Sequence, residues 1–310
     1  MSTRTLLVTG AAGFAGGHLM GAARDAGFSV VAATREPGGG DITCDLRDTH
    51  SVEDAVRAAA PDAVVNLAGL SSVSQSFEAP VEAFEVNAVG AVRLLEAVAS
   101  HAPGARVLCV SSGDVYGSLP ASALPAVEER EPRPLSPYAA SKAAMELACG
   151  QYRESARLSV AVVRSFNHTG PGQSDNFAAS SFARQIAEAE RSGAAEAVLR
   201  TGALELRRDF SDVRDIVRAY VMLLERGATG TFNACSGRPV PLRALVDGLS
   251  EHARIPVRTE VDETRLRGTE MTSLYGSPQR LRESTGWRPE LSLSQTLGDL
   301  LEWWREKVSA

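Results

Sequence analysis

In the stretch SPYAASK, residues 136–142, a tyrosine and a lysine stand four apart behind a proline. On a helix, residues four apart share a face, so Tyr138 and Lys142 would project together. A free phenol, with a pKa of about 10, exchanges its proton poorly near neutrality. A lysine cation beside it would stabilise the phenolate and lower that value. A phenol tuned in this way can hand a proton to a carbonyl oxygen while a hydride arrives at the carbon. The serines of CVSSGDVYG (109–117) add a candidate partner, because the Ser112 hydroxyl could polarise the same oxygen. Asp114 in that stretch is either a second acid or a loop cap that accepts from backbone N–H groups. Alone, a Tyr–Lys pair also suits an ordinary amphipathic helix, so the chemistry depends on what lies around it.

The element that would supply the hydride is written near the start. TLLVTG (5–10) is a buried strand and TGAAGFAGG leads from it into a helix, placing Gly10, Gly13 and Gly16 at the turn. Glycines there let the backbone approach a pyrophosphate, whose charge would rest on the free N–H groups of the helix start. An acid at the end of the second strand would hold a ribose 2′-OH, whereas an arginine there suits a 2′-phosphate. This chain reads AATREP, with Arg35 leading and Glu36 behind it. NADP(H) is therefore favoured and NAD(H) remains possible. Asp45, in CDLRD, is expected either to edge the adenine or to cap the following helix.

Those residues require a parallel sheet. SVVAAT (29–34), PDAVVNLAG (61–69), ARVLCVSS (105–112) and LSVAVVRSFN (158–167) are near-continuous apolar runs, as in strands covered on both faces. Helical patterns alternate with them at 14–27, at 49–60 with Thr49 or Ser51 as cap, and at 78–101 and 137–156. The alternation predicts an α/β fold, a doubly wound parallel Rossmann sheet whose ligands lie at the carboxyl ends of the strands. SPYAASK begins 24 residues after Ser112, enough chain to return over the same crevice. Beyond about residue 167 the rhythm breaks at NHTGPGQSDN, and helical patterns follow at 177–192, 212–226, 241–253 and 293–307. The expected division is a dinucleotide-binding domain of 1–165 plus about 209–234. A smaller α/β substrate-binding lobe takes about 166–208 and 235–310.

Composition excludes several other classes. The formal charge is −6 with no basic stripe, which argues against nucleic-acid binding. No apolar run reaches the roughly 18–20 residues of a membrane span, and the first residues lead straight into a strand without a signal-peptide pattern. The four cysteines (Cys44, Cys109, Cys149, Cys235) are far apart, and the five histidines show no metal-ligand spacing. The expectation is reduced thiols, no metal and a cytoplasmic location.

Gly10/Gly13/Gly16, NLAG at 66–69, SSGDVYG at 111–117, Tyr138-x-x-x-Lys142 and the GP at 170–171 together resemble the extended short-chain dehydrogenases/reductases, the epimerase/dehydratase family. The resemblance spans essentially the whole chain. RSFNHTGPGQ (164–173), LELRRDFSDVRDIVRAY (204–220), NACSG (233–237) and STGWRPELSLSQTL (284–297) are similar to the branch that works on GDP-mannose, most of all to its 4-keto-6-deoxymannose reductases. It implies catalytic roles for Ser112, Asp114, Tyr138 and Lys142. It implies that Gly10, Gly13, Phe14, Ala15, Gly16, Arg35, Asp45, Leu46, Leu67, Ala68, Gly69, Ser71, Asn87, Ser111, Tyr138, Lys142, Phe166 and His168 line the dinucleotide.

For the nucleotide-sugar substrate the resemblance implies Ser112, Asn167, Ser180, Arg184, Arg208, Arg267 and Glu270. Arginines suit a diphosphate because their planar fork pairs two oxygens at once, although Arg208 could equally pair with Asp209, Asp212 or Asp215. Gly268 stands where the family has a proline after the arginine, so the base, GDP or dTDP, stays open. The expected activity is NADPH-dependent reduction of a nucleotide-linked 4-keto-6-deoxyhexose by a homodimer. A 4,6-dehydratase or epimerase is the first alternative, and a non-catalytic NADP(H)-binding protein the remote one.

Overall fold

A computed structural model of the 310-residue chain describes residues 4–36, 38, 40–155, 157–265 and 271–309. Arg267 and Glu270 lie outside the described residues.

The first half alternates strand and helix: β1 (Thr5–Thr9), α1 (Phe14–Asp25), β2 (Ser29–Thr34), β3 (Ile42–Thr43), α2 (Thr49–Ala59), β4 (Ala63–Asn66). Then come α3 (Val73–Glu78), α4 (Pro80–Phe84), α5 (Gly90–His101), β5 (Arg106–Ser112), α6 (Pro137–Glu154) and β6 (Ser159–Ser165). The remainder holds β7 (Asn167–Thr169), α7 (Ala178–Arg191), β8 (Ala197–Thr201), β9 (Arg207–Asp212), α8 (Val213–Arg226) and β10 (Gly230–Ala234). It closes with β11 (Pro239–Pro241), α9 (Arg243–His252), β12 (Val257–Val261), β13 (Ser273–Leu274), α10 (Gln279–Thr285) and α11 (Leu293–Ser309).

Seven strands form one parallel sheet in the order β10-β6-β5-β4-β1-β2-β3. The order reverses between β1 and β4, which makes the carboxyl ends of those strands the expected ligand crevice. Each face is sealed by its own core. Leu6, Val8 and Leu108 pack under α1 and α8, while Leu7, Val64 and Val107 pack under α2, α5 and α6. Leu281 and Trp287, from the stretch expected in the smaller lobe, join the first of these cores. The Trp287 indole N–H donates to the Asp215 carbonyl at 2.9 Å. A third core gathers α7, α9 and α11 beside the short sheets β11-β9-β13 and β12-β8, with β7 pairing on β9.

Two local expectations give way. The cap of α2 is Asp48, whose carboxylate accepts from the His50 N–H at 2.9 Å; Thr49 is the first helical residue. The helix expected over 78–101 starts two residues later than expected, because Pro80 has no N–H to continue α3 and instead opens α4, from which the helix runs on to His101. A π-helical turn (Glu85–Val89) then leads into α5 and turns Asn87 inward. Such bulges are frequent at functional sites. Among the described residues no helix is long and apolar enough to cross a membrane.

Candidate active site

The glycine loop is shaped by close backbone approach. Gly10 has φ +71°, and a Cβ there would stand 2.7 Å from the Ala68 amide nitrogen. At Gly16 a Cβ would fall 2.5 Å from the carbonyl oxygens of Gly10 and Ala11. Real Cβ atoms do not come so close to backbone, so the loop holds its shape only with glycine at both positions. Gly13 caps α1 and its N–H closes the turn on the Gly10 carbonyl at 3.0 Å. A hollow of about 330 Å³ lies over this turn, lined by Gly13, Phe14, His18, Pro171 and Gly172 among others. Phe14 stacks on His168 (6.0 Å, 8° between planes), and His18 Nε2 is 2.8 Å from the Pro171 carbonyl. The 166–172 segment is thereby fastened over the start of α1. Ala15 packs from the helix onto the first core.

At the far end of the crevice Arg35 pairs with Glu36 at 3.1 Å, both exposed. Asp45, partly exposed, is engaged by its neighbour. It accepts from the Arg47 backbone N–H at 3.0 Å and from the Arg47 guanidinium at 2.6 Å, and that side-chain bond is the largest cause holding its carboxyl below the ordinary value. Leu46 is buried in the second core, and its carbonyl accepts from Arg93.

On the other side of the switch point, Leu67, Ala68 and Gly69 follow β4, with Ser71 exposed beyond them. A Cβ on Gly69 would meet Asn87 Oδ1 at 2.5 Å and Lys142 Nζ at 3.4 Å. Asn87 accepts from the Leu70 N–H (2.9 Å) and donates to the Leu70 carbonyl (3.1 Å) and Ser141 Oγ (2.9 Å). It therefore joins the NLAG loop to α6.

Tyr138 and Lys142 stand on that helix, whose cap Ser136 accepts from the Ala139 N–H and whose first residue is Pro137. Lys142 is buried; its ammonium donates to the Val110 carbonyl at 2.8 Å, and burial lowers its pKa from 10.5 to about 8. Ser112 ends β5, and its hydroxyl accepts from the Asp114 N–H at 3.1 Å. The Tyr138 phenol lies beside Ser112, whose hydroxyl lowers its pKa, yet burial and then the Asp114 charge raise that pKa above its ordinary value. Here the expectation of a lysine-lowered phenol is corrected. Desolvation outweighs every opposing influence, and Ser112 is the group that lowers it. Burial also raises Asp114, with the Arg208 charge working against it.

Ser111 turns the other way and donates to Glu146 Oε1 at 2.5 Å. Phe166 is buried, its ring enclosed by Gly113, Gly276 and Tyr116, so it packs the floor of the site. His168 is kept neutral by burial, and its Nδ1–H donates to the Phe166 carbonyl at 3.0 Å.

On the substrate side Asn167 is exposed on β7, level with Phe210 of β9. Arg208 on β9 donates to the Arg207 carbonyl (2.9 Å) and acts electrostatically on Asp114, bringing β9 to the reacting face. Arg184 bridges Asp175 at 3.2 Å and Glu188 at 3.7 Å, while its buried Nε has no hydrogen-bond partner among the described residues. Ser180 is a correction. It is fully buried, donates to the Gln173 carbonyl (2.5 Å) and accepts from Trp304 Nε1 (2.8 Å), so it anchors α7 and does not face a ligand.

Sequence reasoning missed Glu146 and Arg164, which form a buried ion pair behind Lys142. The signals were present: Glu146 continues the i, i+4 stripe of Tyr138 and Lys142, and Arg164 interrupts an apolar strand, where a charge requires a partner. It also missed Arg47, whose adjacency to Asp45 becomes meaningful only once the turn after β3 folds one onto the other.

Comparisons with known proteins agree with this geometry. Residues 40–300 match the family model described as GDP-mannose 4,6 dehydratase. The chain is 37% identical to a GDP-6-deoxy-D-mannose reductase of Pseudomonas aeruginosa, over 99% of both chains. It is 30% identical to GDP-mannose 4,6 dehydratase 1 of Arabidopsis thaliana, over 81% of this chain and 70% of that one. Among solved structures, RMD from Pseudomonas aeruginosa complexed with NADPH superposes with a TM-score of 0.88 at 37% identity, covering 98% of this chain and 100% of the other. By this match in sequence and in fold, the chain belongs to the GDP-mannose 4,6-dehydratase family of extended short-chain dehydrogenases/reductases.

Proposed function

We propose that the protein is an NADPH-dependent 4-ketoreductase of a GDP-linked 4-keto-6-deoxyhexose. One juxtaposition carries the reading: Ser112, Tyr138 and Lys142 meet at the carboxyl edge of the sheet beside the glycine loop. The chain that places them there is 37% identical to a GDP-6-deoxy-D-mannose reductase along its length.

The residues present fit a dinucleotide, because a hollow of about 330 Å³ opens over the start of α1, lined by Ala12, Gly13, Phe14 and Gly17, with glycines that bring backbone rather than side chains to it. The glycine loop and the first N–H groups of α1 would hold the pyrophosphate. Arg35 would take the 2′-phosphate. Its neighbour Glu36 suits a free 2′-hydroxyl, which leaves NADH as the second choice. Lys142 would hold the nicotinamide ribose. When bound, NADPH supplies the hydride for C4 of the sugar.

Tyr138 gives its hydroxyl proton to the ketone oxygen, and Ser112 orients that oxygen by a hydrogen bond. The raised phenol pKa suits this direction, since it keeps the donor protonated through neutral pH. Arg208, Arg184 and Asn167 would face the diphosphate and sugar, with Arg208 bridging toward Asp114. The cofactor would rest on the seven-stranded sheet. The lobe built from 166–208 and 235–310 would close on the nucleotide sugar.

The dehydratase reading shares the family model, so the decisive assay offers both substrates. With GDP-4-keto-6-deoxymannose, the protein should oxidise one NADPH per ketone reduced, followed as loss of reduced-nicotinamide absorbance, and it should leave GDP-mannose intact. Dehydration of GDP-mannose without net NADPH consumption would replace the reductase with the dehydratase.

The outer faces of α4, the π-helical turn, α5 and α6 expose Val81 (80%), Leu147 (78%), Phe84, Val89 and Val92. So many apolar side chains on adjoining helices suit a second copy of the chain. The expected species is a homodimer in sedimentation at micromolar concentration, and Val81→Asp with Leu147→Glu should yield monomers. A wild-type monomer at that concentration would refute it. The four buried free cysteines fit a reducing compartment and a cytoplasmic location.

A further inference from the structure

Behind the Tyr138–Lys142 face lies a buried charged network that the reduction itself does not use. Glu146 stands one turn beyond Lys142 on α6, and Arg164 stands near the end of β6. Their side chains are almost fully enclosed; Arg164 Nη2 meets Glu146 Oε2 at 2.7 Å, and Nε lies at 3.0 and 3.1 Å from the two carboxylate oxygens. Ser111, the neighbour of Ser112, donates to the same carboxylate. Arg164 Nη1 donates to the carbonyls of Glu128 (3.2 Å) and Arg130 (3.4 Å), and its guanidinium lies 4.6 Å over the Tyr116 ring. Tyr116 in turn donates to Asn233 Oδ1 at 2.7 Å. One arginine thus ties together β6, α6, the end of β5, the 126–130 loop and, through Tyr116, β10.

A buried ion pair is weak evidence for stability, since well-packed apolar residues often serve as well. What this pair adds is charge at a defined place. The ionisable groups facing Lys142 are Glu146 and Cys149 on its own helix and Cys109 on β5; the thiols are neutral where Lys142 titrates, and the Glu146 charge is what favours its ammonium form against burial. Glu146 is itself faced by Arg164 from β6, while Asp114 acts on Tyr138 from the turn after β5.

We propose that Glu146 and Arg164 are positioning residues for the ketone reduction. Arg164 fixes the Glu146 side chain one turn from Lys142, and the pair clamps the Tyr138–Lys142 face of α6 to the Ser111–Ser112 end of β5. The proposal rests on the reductase reading for its kinetic consequence.

The test is Glu146→Gln, which keeps the shape and an acceptor for Arg164 and Ser111 while removing the charge. With the negative charge gone, Lys142 loses its proton more readily and the Tyr138 phenol is also easier to ionise. Both effects move the basic limb of the kcat profile to lower pH, by about half a unit or more. The kcat at neutral pH should fall about tenfold, with both KM values within about twofold of wild type. Arg164→Lys, which retains the cation, should keep the wild-type pH profile.

A second measurement needs no turnover. Stability of the cofactor-free protein should rise with pH once Lys142 begins to deprotonate, and in Glu146→Gln that rise should start at lower pH. Unchanged kcat and an unchanged stability profile in Glu146→Gln would overturn the proposal and leave the pair as packing. Absence of ketone reduction by the wild type would overturn the reductase reading instead, with the stability profiles still deciding the role of the pair.

Discussion

Replacing Tyr138 with Phe should lower kcat about a thousandfold, within the range that a positioned general acid contributes. The ring is retained, and the neighbouring Ser112 is held independently of the phenol, its oxygen accepting from the Asp114 N–H. Loss of the phenol oxygen therefore removes a proton donor without dismantling the site. Affinity for NADPH, read by quenching of protein fluorescence, should stay within about threefold, because the glycine loop and Lys142 are untouched. Loss of kcat with KM unchanged is the signature of an interaction made only in the transition state. A variant that keeps a tenth or more of wild-type kcat would mean that another group or water protonates the oxygen, and Asp114 would be the group to examine.

That neighbouring acid explains why the phenol acts as donor. Burial and Asp114 both favour its neutral form, so the site is set to give a proton to a newly formed alkoxide, not to take one. The same carboxyl is itself raised by burial and steadied by Arg208 from β9, so the substrate-side strand communicates with the donor through charge.

Much of this site was readable as sequence because its parts are local. The glycine spacing encodes steric contacts inside one turn, and Tyr138 and Lys142 are an i, i+4 pair fixed by helix geometry. The apolar strands predicted a parallel sheet, and the sheet brought Ser112 to them. What stayed hidden depends on contacts between distant segments. Asp45 faces Arg47 because the turn after β3 folds that way. Ser180 is sealed by Trp304, 124 residues later. Ser111 and Ser112 look equivalent as letters, yet alternation along β5 sends one to Glu146 and the other to Tyr138. The helix expected over 78–101 begins at Pro80, a start signal present in the sequence, and runs on through a π-helical turn, which has no signal so plain.

Lys142→Met is the counterpart of the tyrosine variant, and its two effects have opposite signs. Activity should fall by at least about a hundredfold, since the variant loses the hold on the nicotinamide ribose and with it the placement of the hydride donor. Stability of the cofactor-free protein at pH 7 should rise. In the folded protein Lys142 has its pKa lowered from 10.5 to about 8, chiefly by burial. Between those values the unfolded chain binds the proton and the folded chain does not, so stability climbs as pH rises through that window. Below pH 8 the full penalty remains, about 3 kcal/mol at roughly 1.4 kcal/mol per pKa unit. Methionine fills similar volume without the charge, although it leaves the Val110 carbonyl without the donor now 2.8 Å away, which costs about 1–2 kcal/mol. Desolvation is the larger effect, so the net gain is about 1–2 kcal/mol, seen as a rise in Tm on the order of a few degrees. The difference from wild type should shrink toward pH 10, where neither state of the wild type is fully protonated. A Tm for Lys142→Met that is lower than wild type at pH 7 would show that the ammonium is solvated or paired well enough to stabilise the fold. The stability lost to this lysine would then not be the cost of keeping a buried cation at the ribose site.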